Sequence, residues 1–140
     1  MAALPQPHNA AALKAFVEAS PFCRTLGISV ERIAIDEVEL SLPFAPANVT
    51  VGDIVHGGAV STLVDVSAAV TAYTGVELPE RPRGSTAGMT VDFLRAARGS
   101  DLRSHARVLR RGRALCFVEV DVSDADGELV AKALVTMRVG

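Results

Sequence analysis

A histidine followed by two glycines, His56-Gly57-Gly58, opens a stretch that runs through Asp65 to Gly75. A helix that begins on paired glycines leaves backbone N–H groups unscreened by side chains. Its N-terminus carries unsatisfied donors and a partial positive charge, which suits it to holding an oxyanion. Asp65 adds a carboxylate nine residues after His56. On a regular helix that offset is about 13 Å along the axis and roughly half a turn out of phase. One chain does not easily aim both side chains at one small group. If both do chemistry, they serve different sites, or one site built from two chains.

The stretch from His56 to Gly75 reads as one long helix. Val49 to Val55 is β-branched and broken by Gly52, hence not helical. Gly75 is a natural stop, and Pro79 and Pro82 prevent resumption. At 100° per residue, Val60, Leu63, Val64, Val66 and Val70 share one side. Gly58, Ser61, Asp65, Ala68, Ala69 and Ala72 lie opposite. Most aspartates simply face water. A solvated face usually carries several charges, however, and this one carries Asp65 alone among small residues that let another segment come close.

The 140 residues make one domain, and 49% of them are hydrophobic, enough for a real core. A net charge of -2 and the absence of tryptophan argue against nucleic acid as a partner. Cys23 and Cys116 have no metal-ligand spacing and fit buried thiols in a reducing cytosol, so no metal site and a cytoplasmic location are expected. The N-terminus lacks the pattern of a signal peptide, and Asp65 sits in the middle of the most apolar stretch, against a membrane span.

Residues 1–19 read as a loose arm, Met1 to His8, and a short helix capped by Asn9 with Leu13, Phe16 and Val17 on one face. Residues 20–140 read as one domain. Phe22 to Gly27 is expected to be a loop or short turn. Ile28 to Ile33 and Glu37 to Leu42 read as strands, the second by alternation of Val38, Leu40 and Leu42 with Glu37, Glu39 and Ser41. After the helix come strands at Ser85 to Leu94, Asp101 to Leu109, Ala114 to Ser123 and Glu128 to Val139. Arg110 to Arg113 is a tight connection, and Asp124-Ala125-Asp126-Gly127 signals a hairpin. His8 and His105 have no partner pattern. Strands flanking segregated helices mean α+β, with an antiparallel sheet covered by the Val/Leu face of the helix.

Val55-His56-Gly57-Gly58, followed by Leu63-Val64-Asp65, resembles the PaaI-like hotdog-fold acyl-CoA thioesterases. Ser20-Pro21-Phe22 through Leu26-Gly27-Ile28, Thr86-Ala87-Gly88-Met89-Thr90-Val91-Asp92-Phe93-Leu94-Arg95, Gly112-Arg113 and Asp126-Gly127-Glu128-Leu129-Val130-Ala131 agree in order, over roughly residues 20 to 139. The resemblance implies a hotdog: a long helix wrapped by a curved antiparallel sheet, paired edge to edge into dimers or tetramers with sites at the subunit interface. It implies that the Gly57 N–H meets the thioester oxygen, with Gly58 beside it, that His56 positions the carbonyl, and that Asp65 acts from the other subunit as nucleophile or general base. Thr86 falls where the family holds the attacking water. Many members carry Asn six residues before the histidine. Thr50 stands there in this chain, and Asn48 is the nearest asparagine. Arg110, Arg111 and Arg113 are candidates for CoA phosphates.

Thioester hydrolysis needs an oxyanion donor and an activated nucleophile, and no cofactor beyond the CoA of the substrate. The expected activity is hydrolysis of a small aryl-acyl or medium-chain acyl-CoA. Two alternatives stand beside it. A hotdog dehydratase or hydratase typically has a Pro-Gly helix start, missing here. A non-catalytic acyl-CoA-binding hotdog used as a regulator normally adds a DNA-binding segment, and Met1 to Ser20 is too short for one.

Overall fold

The computed structural model describes residues 5–80 and 83–139. Met1 to Leu4 of the expected arm, and Pro82, lie outside the described residues. Two short helices come first, α1 (Ala10–Ala19) and α2 (Pro21–Leu26). Strands β1 (Ser29–Ala34) and β2 (Glu37–Leu42) follow, then the small hairpin of β3 (Val49–Val51) and β4 (Ile54–Val55). The long helix α3 (Gly57–Tyr73) precedes β5 (Ser85–Phe93), β6 (Leu102–Arg111), β7 (Leu115–Ser123) and β8 (Leu129–Arg138). Six strands form one antiparallel sheet in the order β1-β2-β6-β7-β8-β5. Helix α3 packs on β2, β6, β7, β8 and β5. This is the α+β hotdog architecture.

Alternation places Val38, Leu40 and Leu42 of β2 and Val118, Val120 and Val122 of β7 against α3, all buried. Leu13 and Val17 of α1 join the same core. The buried arc of α3 is wider than the expected Val/Leu stripe. Ala68 and Ala72, assigned to the opposite face, are fully buried, and Val66 is only partly so. At the centre of the arc lie Ser67 and Thr71, whose hydroxyls donate to the carbonyls of Leu63 and Ser67, four residues back. Ser67 Oγ also meets Ser104 Oγ of β6 at 2.5 Å. Buried polar groups are tolerated when their hydrogen bonds are made, so this seam crosses the helix–sheet contact without penalty.

Phe22 to Gly27, expected as loop, is mostly helix. Ser20 Oγ accepts from Cys23 N–H, Pro21 occupies the first turn, and Gly27 closes α2 in the left-handed region at φ 79°. Asn9 precedes α1 without capping it. Its side-chain amide instead donates to the carbonyls of Tyr73 and Val76, tying α1 to the far end of α3. Strand β6 runs through Arg111, so the tight connection begins later than expected. His105 does have partners: Glu37 at close range and Arg107 at 3.1 Å, in a charged ladder on the outer sheet face. Cys23 and Cys116 are free and buried, and burial pushes the Cys116 thiol up.

The C-terminal end of α3 stops at Tyr73, before the expected Gly75, with Thr74 Oγ1 donating to the Thr71 carbonyl. Arg111 reaches this end. Its guanidinium donates to the Ala72 carbonyl at 2.6 Å and to Asp36 Oδ1 at 2.7 Å. A cation there complements the helix dipole. Arg111→Met is expected to cost about 1–3 kcal/mol, since charge-assisted bonds to a partly buried carbonyl and carboxylate are lost. A urea-denaturation midpoint equal to the parent's would contradict that assignment.

Candidate functional site

His56 sits just before α3 with extended backbone, φ -60° and ψ 132°. Four hydrogen bonds fix it. Its N–H donates to the Asn48 carbonyl at 2.7 Å, and its carbonyl accepts from Ala59 and Val60 N–H. Its Nδ1 accepts from Gly58 N–H at 2.8 Å. With Nδ1 accepting, the neutral ring carries its proton on Nε2, as an available donor. A Cβ on Gly58 would fall 2.9 Å from His56 Nδ1, so this cap requires glycine.

The two glycines therefore differ. The Gly58 amide is spent on His56, contrary to the expectation of paired open donors. The Gly57 amide has no partner among the described residues. Gly57 faces a cleft of about 320 Å³, with the Phe93 ring in van der Waals reach of where its Cβ would be. Gly58 and His56 line a second cleft of about 300 Å³ on the other side of the helix start. Asn48 lines it too. It is buried, its carbonyl holds His56, and its side-chain amide lies 3.4 Å from the Leu26 carbonyl of α2. Asn48 thus positions the histidine through its main chain, a contact that side-chain reading of the sequence misses.

Asp65 lies half-buried on α3, away from His56. Its Oδ1 accepts from Thr86 Oγ1 at 2.5 Å, and its Oδ2 has no partner among the described residues. Thr86 stands on β5, beside a break in register between Thr86 and Gly88 where one extra residue bulges out of the pairing with β8. Bulges re-aim side chains, and they gather next to functional sites. Thr86 also lies 3.4 Å from Met137 Sδ, a second acceptor for the same hydroxyl. The chain thus brings Asp65 and Thr86 together, and His56, Gly57, Gly58 and Asn48 together, as two separate groups. Arg110 and Arg113 are exposed at the other end of α3, about 25 Å from His56. Arg111, between them, is engaged by the helix end.

The DUF4442 family, described as a domain of unknown function, matches residues 9–139. The chain belongs to this family. Among relatives of the DUF4442 chain is the medium/long-chain acyl-CoA thioesterase YigI of Salmonella typhimurium, 29% identical over 140 residues, with 89% of each chain covered. A thioesterase family protein from Silicibacter pomeroyi shares the fold at a TM-score of 0.85 and 26% identity, over 93% of this chain and 96% of the other. The PaaI protein of E. coli has the same fold at a TM-score of 0.80 and 18% identity, over 90% of this chain and 88% of its own. The DUF4442 chain thus has the hotdog fold of PaaI and of this thioesterase family protein. No helix among its described residues is long and apolar enough to cross a membrane.

Within this DUF4442 site, Thr86→Val keeps the shape of the threonine and removes the hydroxyl that fixes Asp65. Losing a hydrogen bond to a charged group is expected to lower kcat by about tenfold or more, with a smaller change in KM. Steady-state kinetics on a folded variant decide it. An unchanged kcat would mean that the Thr86–Asp65 contact is incidental.

Proposed function

We propose that the protein is an acyl-CoA thioesterase acting on a small aryl-acyl or medium-chain acyl thioester. Each site combines the His56–Gly57 end of one α3 with the Asp65–Thr86 pair of a second copy. One observation carries the reading: the chain holds a free oxyanion donor and a carboxylate with one open oxygen, yet keeps them apart. The thioester carbonyl oxygen accepts from Gly57 N–H and from His56 Nε2–H. Thr86 holds Asp65 Oδ1, which leaves Oδ2 to act. Oδ2 either attacks the carbonyl carbon and expels the CoA thiolate, leaving an anhydride that water hydrolyses, or takes a proton from an attacking water.

The second copy is expected on β5. This edge strand is nine residues long and almost wholly exposed, and Met89 and Phe93 on its helix-facing side and Leu134 of the neighbouring β8 are left open to solvent. Unprotected edges of that length are normally covered. Two-fold pairing there runs the helices antiparallel and brings the partner's far helix end, with its Arg110 and Arg113, past the His56 end, where CoA phosphates are proposed to lie. The relative named as a medium/long-chain acyl-CoA thioesterase supports the chemistry. The test is thiol release from a panel of acyl-CoAs by the purified oligomer. Release that Asp65→Asn removes supports the reading. Release from no member of the panel would sink it.

A further inference from the structure

Resting on the thioesterase reading, we propose that Phe22 and Leu26 of α2 form the acyl-chain subsite and set the length of a straight aliphatic chain. The two clefts flank the first turn of α3, so a thioester centred on Gly57 N–H sends its two arms into different ones. The clefts differ in the polar groups at their walls. The cleft beside Gly57 is lined by Ile54, Val60, Phe93 and Val130 but also carries Thr50 and the Arg95 guanidinium, paired with Glu128. The cleft beside Gly58 is lined by Phe22, Leu26, Ala47 and Val49, and its only ionisable side chain is His56. The pantetheine-nucleotide arm is polar and bears phosphates, so it suits the first. The acyl chain suits the second.

Phe22 strengthens this assignment. Its ring is 59% exposed and lies outside the core. Helix α2 holds it there, anchored by the buried Cys23, by Gly27 and by the Asn48 contact to Leu26. The same Asn48 holds His56, so the apolar wall and the carbonyl-binding end are fixed to each other. An aliphatic chain laid along Phe22 and Leu26 buries apolar surface that the free protein leaves in water. Each methylene so buried is worth about fourfold in affinity.

The test uses S-alkyl-CoA thioethers from butyl to dodecyl, which need no hydrolysis, with binding measured by calorimetry on the intact oligomer. The parent is expected to gain about three- to fourfold per methylene until the cleft is full. Phe22→Ala is expected to weaken the decyl compound at least tenfold more than the butyl. Ala47→Trp, at the exposed rim, is expected to flatten the series to under twofold. Thr50→Trp, in the other cleft, is expected to weaken every length alike. Equal losses at every length in Phe22→Ala and Ala47→Trp, flattening by Thr50→Trp instead, or no binding at all would overturn the proposal. Thiol release from the matching thioesters, run in parallel, separates the two readings. Chain-length-dependent binding without thiol release keeps the subsite and removes the hydrolase. Thiol release whose length preference Phe22→Ala leaves unchanged keeps the hydrolase and removes the subsite.

Discussion

Asp65→Asn is expected to lower kcat by a factor of ~100 or more while leaving the fold and the proposed pairing of copies intact. The carboxamide is nearly isosteric, and its oxygen still accepts from Thr86 Oγ1, so the one polar side-chain contact of Asp65 among the described residues survives. The loss falls on Oδ2, which becomes an NH2 group: neither a base nor a comparable nucleophile. Substrate affinity should change little, because the proposed carbonyl contacts come from Gly57 and His56. The effect should therefore appear in kcat and kcat/KM together, the pattern of an interaction made in the transition state. Single-turnover measurement with unchanged circular dichroism and sedimentation checks it. A rate within threefold of the parent would leave Asp65 a structural residue.

The contrast between what the sequence displays and what it hides follows from physical cause. Strand β2 was legible to its ends because one face is buried, and burial imposes period two on Val38, Leu40 and Leu42. The group at His56 and Gly57 was legible because helix starts expose donors whatever the tertiary context. The width of the α3 core face was not. Ser67 and Thr71 are polar by composition, yet their hydroxyls are satisfied four residues back, so hydropathy misplaces the centre of the arc. Helix α2 is too short for a periodicity, although Ser20, Pro21 and Gly27 were available as start and stop signals. The fate of the Gly58 amide depends on the His56 rotamer, and that of Arg111 on a carbonyl of α3 that is distant in sequence. The Thr86–Asp65 contact depends on a bulge between Thr86 and Gly88, for which a glycine inside the strand was the one available signal.

Two inactive variants are expected to restore each other, because the proposed site takes one half from each chain. Gly57→Pro removes the amide at the start of α3 that has no partner among the described residues. Proline suits the first helical position, and the preceding His56 has the extended backbone a following proline requires. The neighbouring Phe93 ring lies at ordinary contact distance from a Cβ at this position, so bulk there is tolerated. The Gly58 amide and the His56 cap remain. Asp65→Asn is the second variant. In a mixed dimer, one site collects both substitutions and is dead, while the other pairs an intact Gly57 with an intact Asp65. Random two-fold pairing makes about half the dimers mixed, each with one working site of two, so activity should return to roughly a quarter of the parent's. Co-expression, with mixed dimers confirmed by mass and each variant checked by circular dichroism, is the measurement. A site contained in one chain would leave no intact site in any mixture. Activity no greater than that of either variant alone would therefore remove the second copy from the chemistry, and return the separation of Asp65 from His56 to a matter of packing.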